Sequence, residues 1–232
     1  MSTNSLNLQQ RLHQGLIVSC QAPVDSPLHD PVVIAAMAKA AINQGAIAVR
    51  IDTPAHVQEV RLVLGSEALI IGLWKQQLAG CEVYITPQFH HAEAIASAGA
   101  DIIAIDATFR ERPQGETLES LIARIHKDLS KLVMADVDTV EAGIAAAKAG
   151  ADVVGTTLYG YTRQTEHLSP PGFELLMPLS QQLDVPLICE GGIASPQMAQ
   201  DALKQGADAV VVGTAITGID LQVKAYRNAI AL

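Results

Sequence analysis

The chain has 232 residues, 49% of them hydrophobic, 17% charged and only 3% aromatic, with a formal net charge of −9. That composition excludes a disordered chain, a coiled coil and a collagen-like fibre, and a chain of this length buries enough surface to fold without a disulfide or metal staple. The acidic balance, with no basic stripe, argues against nucleic acid as a partner.

The first ten residues, MSTNSLNLQQ, have no apolar signal-peptide core. The most apolar stretch, 31–42, contains Lys39 and is too short to span a bilayer, so no membrane partner is expected. Cys20, Cys81 and Cys189 are scattered without a CxxC pair, which fits a reducing, cytoplasmic setting. Apolar runs at 16–20, 44–51, 68–74, 98–105, 131–137, 149–156, 186–192 and 205–213 read as strands buried on both faces. Ala-rich or amphipathic stretches at 31–44, 55–64, 88–98, 117–129, 139–149, 173–183, 196–205 and 220–231 read as helices.

One phrase recurs along the chain: QGAIAVRI, AGADIIAI, AGADVVGT and QGADAVVVG, with Gly45, Gly99, Gly150 and Gly206 spaced by 54, 51 and 56 residues. In each copy a helix ends, glycine takes the left-handed position beyond it, and a β-branched run begins at once. Each period holds two βα units, so four periods predict eight parallel strands and a single (β/α)8 TIM barrel over 1–232. An open doubly wound sheet is the alternative, but no GxGxxG opens the first helix. The short run EVYIT (82–86) falls outside the count and reads as an excursion after the third strand. The Pro/Ser/Thr-rich segment 162–172 reads as a long loop after the sixth strand and a candidate lid.

Chemistry in a barrel gathers at the C-terminal ends of its strands. Those ends read Ser19-Cys20-Gln21, Arg50-Ile51-Asp52, Trp74-Lys75, Asp106-Ala107-Thr108, Asp136, Thr156-Thr157, Glu190-Gly191-Gly192 and Gly213-Thr214. Charges placed after apolar runs must be paired or functional. A ring of salt bridges closing the barrel is one reading; an acid/base site is the other. Lys75 suits a base or a Schiff-base nucleophile, and Glu190 the matching acid. Arg50 stays charged and suits a substrate clamp or oxyanion stabiliser. Asp136 is placed to orient Lys75 or hold a hydroxyl. Gln21 and Thr157 are neutral hydrogen-bonding groups for the substrate. Gly191, Gly192, Gly213 and Thr214 lie after strands seven and eight, where barrels hold phosphate on backbone N–H groups.

Other features read as structural. His90-His91 suit a solvent-facing helix start or a cap, 109–113 a solvated loop or one that closes over the site, and Cys20 and Cys189 small buried hydrophobes. No HExxH, EF-hand loop or His/Cys cluster is present, so no metal is expected, and nothing resembles a P-loop or GxSxG.

GLIVSCQA (15–22), PLH (27–29), the strand ending in Lys75, VYITP (83–87), IIAIDAT (102–108), MADV (134–137), GTTLYGYT (155–162), FELL (173–176) and ICEGGI (188–193) occur in that order. Together they closely resemble the N-acetylmannosamine-6-phosphate 2-epimerase family over nearly the whole chain. The resemblance implies a (β/α)8 barrel and a cofactor-free interconversion of N-acetylmannosamine 6-phosphate and N-acetylglucosamine 6-phosphate, a step in sialic acid catabolism. By the family's pattern Lys75 and Glu190 transfer the proton, while Gln21, Arg50 and Asp136 hold the sugar and its N-acetyl group. A homodimer is expected on the same likeness, with the apolar helix 220–231 (Leu221, Val223, Ala225, Ala229, Ile230, Leu232) in the contact. Two positions depart from the family, which usually carries Arg where Gly192 and Gly218 stand here. The phosphate is then held by backbone N–H groups or by Arg163, or the substrate is the free sugar. Tyr159, where the family often has Ser, is expected to line the mouth. A Schiff-base aldolase built on Lys75 and a non-catalytic sugar-phosphate-binding barrel are the other readings.

Overall fold

A computed structural model of the chain describes residues 3–231, with side-chain surroundings from Leu8 onward. Eight parallel strands close in chain order: β1 (Gly15–Cys20), β2 (Ala48–Asp52), β3 (Leu69–Leu73), β4 (Ile102–Asp106), β5 (Leu132–Asp136), β6 (Val153–Gly155), β7 (Leu187–Glu190) and β8 (Ala209–Val212). β1 pairs with both β2 and β8, so the sheet has no edge. Between the strands run α2 (Pro31–Asn43), α3 (Pro54–Leu64), α4 (Phe89–Ser97), α5 (Leu118–Leu129), α6 (Val140–Lys148), α7 (Phe173–Ser180) and α8 (Pro196–Lys204). The repeated glycines take the backbone their sequence context demands: φ is +94° at Gly45, +107° at Gly99, +106° at Gly150 and +106° at Gly206.

Strand side chains alternate between two packed layers. Ile17, Ala48, Ile71, Ile102, Ala104, Met134, Val153, Ile188, Ala209 and Val211 fill the barrel interior. Val18, Val49, Ile51, Ile70, Ile103, Val133, Val154 and Val210 face the helices. The same parity carried to the strand ends places Ser19, Arg50, Asp106, Asp136 and Glu190 on the interior side, and one or two residues further on Gln21, Lys75, Thr157 and Gly213. The expectation that chemistry collects at the mouth therefore rests on strand geometry.

Three features differ from the sequence reading or extend it. An amino-terminal helix, α1 (Thr3–Leu12), closes the bottom of the barrel with Leu8 and Leu12. Its polar composition hides it; among the residues whose side chains are described, the leucines at i and i+4, Leu8 and Leu12, mark the buried side. The excursion at 82–86 folds back antiparallel on the end of β3, pairing Ile85 with Lys75, and the Asp106 N–H donates to Ile85 O at 2.9 Å. After β8 the chain makes a short helix, α9 (Thr214–Thr217), then α10 (Ile219–Ile230), which buries none of its residues.

At Gly72 on β3 an added Cβ would lie 2.6 Å from Ile95 Cγ2 and 2.7 Å from Ala100 Cβ. Gly72→Ala should lower stability by about 1–3 kcal/mol through overpacking, read as a reduced urea midpoint with an unchanged slope. An unshifted midpoint would show that α4 yields freely.

Candidate active site

Arg50 organises the mouth. It is 1% exposed, and such burial of a cation is tolerated only with close anionic partners. Asp136, 0% exposed, supplies a bidentate one: Nη2 donates to Oδ2 at 2.6 Å and Nη1 to Oδ1 at 3.2 Å. Glu190 is the second anion, with Oε1 3.1 Å from Arg50 Nε. That contact is an ion pair without an aligned hydrogen bond, since the Nε–H finds no acceptor. Burial opposes the charge on Arg50, but Asp136 and Glu190 outweigh it and hold the guanidinium charged.

One cation between two acids leaves an excess negative charge, and Glu190 carries the consequence. Burial, then Asp136, push its carboxyl up, against the opposing pull of Arg50 and Lys75, to about 7. An acid there exists in both protonation states near neutral pH, which proton transfer requires. Thr157, just past β6, sets its hydroxyl between the two acids, 2.6 Å from Asp136 Oδ1 and 3.1 Å from Glu190 Oε2.

Lys75 lies across the mouth. β3 and β7 are four strands apart in a closed barrel of eight, so Lys75 and Glu190 approach from opposite sides. Its main chain is fixed: the N–H donates to Asp52 Oδ1 at 3.0 Å, and the flanking hairpin is closed by Thr86 N–H to Trp74 O at 2.9 Å and Gln76 N–H to Tyr84 O at 2.8 Å. Nζ donates to Gln21 Oε1 at 2.5 Å, and Gln21 Nε2 donates to Ser19 Oγ at 2.9 Å. The ammonium group is thus aimed from an exposed residue.

The expected residues divide. Gln21, Lys75, Glu190 and Thr157 line the mouth. Arg50 and Asp136 lie beneath it with their polar atoms turned on each other, so direct contact with a sugar requires those ion pairs to open. Gly191 (φ +97°) and Gly192 (φ +71°) turn the chain after β7, and Gly213 and Thr214 follow β8. The N–H groups of these four residues have no acceptor among the described residues. A Cβ on Gly192 would lie 2.7 Å from the backbone carbon of Pro170, and one on Gly218 2.8 Å from Thr214 Cα. Neither position has room for the arginine that the resemblance leads one to expect. Arg163 pairs with Glu82 at 2.8 Å on the rim and is 85% exposed.

Several expectations are corrected. His91 is 4% exposed rather than solvent-facing, packs edge-on against Trp74, and is held neutral by burial and by His90, with its pKa lowered to about 4. The 109–113 segment is not simply solvated: Arg110 pairs with buried Asp106 at 2.6 Å and Arg112 donates to Pro87 O at 3.1 Å. Asp106 is therefore occupied within its own loop, although burial raises its pKa against the pull of Arg110. Tyr159 does not line the mouth; it is 3% exposed and its hydroxyl bonds Glu174. At the start of the 162–172 loop, Thr162 Oγ1 donates to Asp138 Oδ2 at 2.7 Å. Cys20 and Cys189 are buried, as read, with burial pushing their thiols up to about 12 and about 11.

Comparison with known proteins adds the following. A family model described as "NanE: Putative N-acetylmannosamine-6-phosphate epimerase" matches residues 34–232. A protein of Synechococcus elongatus with the name "Putative N-acetylmannosamine-6-phosphate 2-epimerase" is 60% identical over 222 residues, 95% of each chain. One of Thermosynechococcus vestitus with the same name is 60% identical over 225 residues, 97% of each chain. The solved N-acetylmannosamine-6-phosphate 2-epimerase from Clostridium perfringens superposes with a TM-score of 0.90 at 38% identity, covering 96% of each chain.

Arg50→Leu should cost about 3–5 kcal/mol of stability, because it leaves Asp136 and Glu190 buried together without a cation. Chemical denaturation checks this, and a loss under about 1 kcal/mol would show that the acids reach water.

Proposed function

The chain belongs to the N-acetylmannosamine-6-phosphate epimerase family, and we propose that it inverts C2 of N-acetylmannosamine 6-phosphate, giving N-acetylglucosamine 6-phosphate without a cofactor in amino-sugar catabolism. The observation that carries this reading is the placement of two proton carriers on opposed strands, Lys75 beyond β3 and Glu190 ending β7. Inverting a carbon requires a proton to leave one face and another to arrive at the opposite face. In the open-chain aldehyde form of the sugar, the C2–H bond breaks toward one carrier, its electron pair spreads onto the C1 carbonyl oxygen, and the other carrier delivers a proton from the far side. Arg50, paired with Asp136 and Glu190 beneath the mouth, fixes the position of the Glu190 carrier. Gln21 orients Lys75, and Asp136 holds Arg50.

The phosphate is placed at the ends of β7 and β8, on the N–H groups of Gly191, Gly192, Gly213 and Thr214. Bare N–H groups substitute for arginines that the glycine packing excludes. Lys75→Ala and Glu190→Gln should each lower kcat by at least about a hundredfold on the phosphate ester, with the fold retained by circular dichroism. Wild-type turnover should be far faster with the ester than with N-acetylmannosamine. Preference for the free sugar would move the substrate assignment, and near-normal turnover in either variant would remove the two-carrier mechanism.

A homodimer is part of the same reading. Ile219, Val223, Tyr226 and Ile230 of α10 are 55%, 62%, 73% and 78% exposed. Their spacing makes one apolar stripe that the barrel does not cover. Leu16 on β1 is 36% exposed although it is a barrel-strand residue, so the wall near the end of the chain is open as well. Leu232, also expected in the contact, lies outside the described residues. Association between copies would cover these surfaces; no helix of the described residues is long and apolar enough to cross a membrane. Light scattering should give the mass of two chains, with Val223→Asp shifting it toward one. A monomeric wild type would refute the dimer.

A further inference from the structure

Thr157 has one hydroxyl proton and two carboxylate neighbours, and a hydroxyl donates once. The shorter contact identifies the recipient. The 2.6 Å separation from Asp136 Oδ1 is the length of an O–H···O⁻ bond, and the same carboxylate accepts two hydrogen bonds from Arg50. The contact to Glu190 Oε2 at 3.1 Å then has a proton between its oxygens only when Glu190 supplies it. The opposite assignment would press the Thr157 lone pairs against Asp136 at the shorter distance.

We propose that Thr157 is a positioning residue that donates to Asp136, accepts from the Glu190 carboxyl, and so keeps Glu190 protonated and ready to act as the acid. The groups facing Glu190 divide: burial and Asp136 favour the protonated acid, whereas Arg50 and Lys75 favour the carboxylate. Arg50 Nε lies 3.1 Å from the other carboxyl oxygen, Asp136 sits behind Arg50, and Lys75 faces it across the mouth. Cys189 precedes it and packs in the helix-facing layer. On the main chain, Thr156 Oγ1 lies 3.1 Å from both the N–H and the carbonyl oxygen of Glu190. Burial and Asp136 raise the Glu190 pKa whichever way the Thr157 hydroxyl points. In the acid step the Glu190 O–H bond breaks and a C2–H bond forms. Thr157 then has two carboxylates and one proton, an arrangement relieved when Glu190 is reprotonated from solvent.

The inference deepens the epimerase reading, so its test has one readout independent of turnover. Infrared titration of the protonated-carboxyl band that Glu190→Gln lacks reports Glu190 directly. Thr157→Val keeps the shape and removes the acceptor, so the band's midpoint should fall by about one pH unit, the value of one lost hydrogen bond. Thr157→Ala should give the same fall, and Thr157→Ser should restore the wild-type midpoint. In kinetics, Thr157→Val should lower the alkaline limb of kcat by about the same unit, in the direction that uses Glu190 as acid. KM should change by less than about twofold, because the interaction lost is not one made with the bound sugar. A midpoint that stays or rises in Thr157→Val overturns the proposal, since a rise would mean that Thr157 donates to ionised Glu190. A band that shifts as stated in a protein that does not epimerise upholds Thr157's role and removes the epimerase reading alone.

Discussion

A guanidinium held between two carboxylates is the constraint on which the mouth of this barrel depends. Arg50 cannot lose its proton, so its burial obliges Asp136 and Glu190 to stay within reach. One positive charge does not neutralise both acids. The imbalance falls on Glu190, whose remaining contacts are weaker than the bidentate pair Asp136 enjoys, and it becomes the member able to take and release a proton. Protonation chemistry, the orientation of Thr157 and the division between upper and lower residues all follow from that arithmetic of charge.

The barrel itself was legible because its signals are local. A glycine after a helix reports a left-handed turn whatever surrounds it, and four copies at a near-constant spacing report eight strands. The interior parity of Arg50, Asp136 and Glu190 follows from counting along each strand. What the sequence withholds is pairing across the barrel. Arg50 and Asp136 are 86 residues apart, and only closure of the sheet shows that they meet each other before they meet a sugar. The same holds for His91, read as a surface residue from its neighbour His90 but placed by α4 against Trp74. Arg110 looks like an ordinary loop charge until the excursion after β3 folds over it and it pairs with Asp106.

The two ends of the chain show the reverse case, where composition misleads. The polar start of the chain forms the helix that plugs the barrel, with Leu8 and Leu12 marking its buried side. The apolar end forms a helix that the barrel does not use. At the rim, Gly192 and Gly218 stand where a side chain has no space, so backbone N–H groups rather than arginines meet the anion in this account. Each of these facts is a packing fact, invisible until neighbours such as Pro170 and Thr214 are in place.

The central claim is that two carriers on opposite faces exchange the C2 proton, and following that proton tests it directly. The enzyme is placed in heavy water with N-acetylmannosamine 6-phosphate and the C2 signal is followed by proton NMR. Two carriers predict that the gluco product gains solvent deuterium at C2 from its first appearance, while unreacted substrate keeps its proton. A product that retains the original C2 proton, or no product at all, would contradict the account.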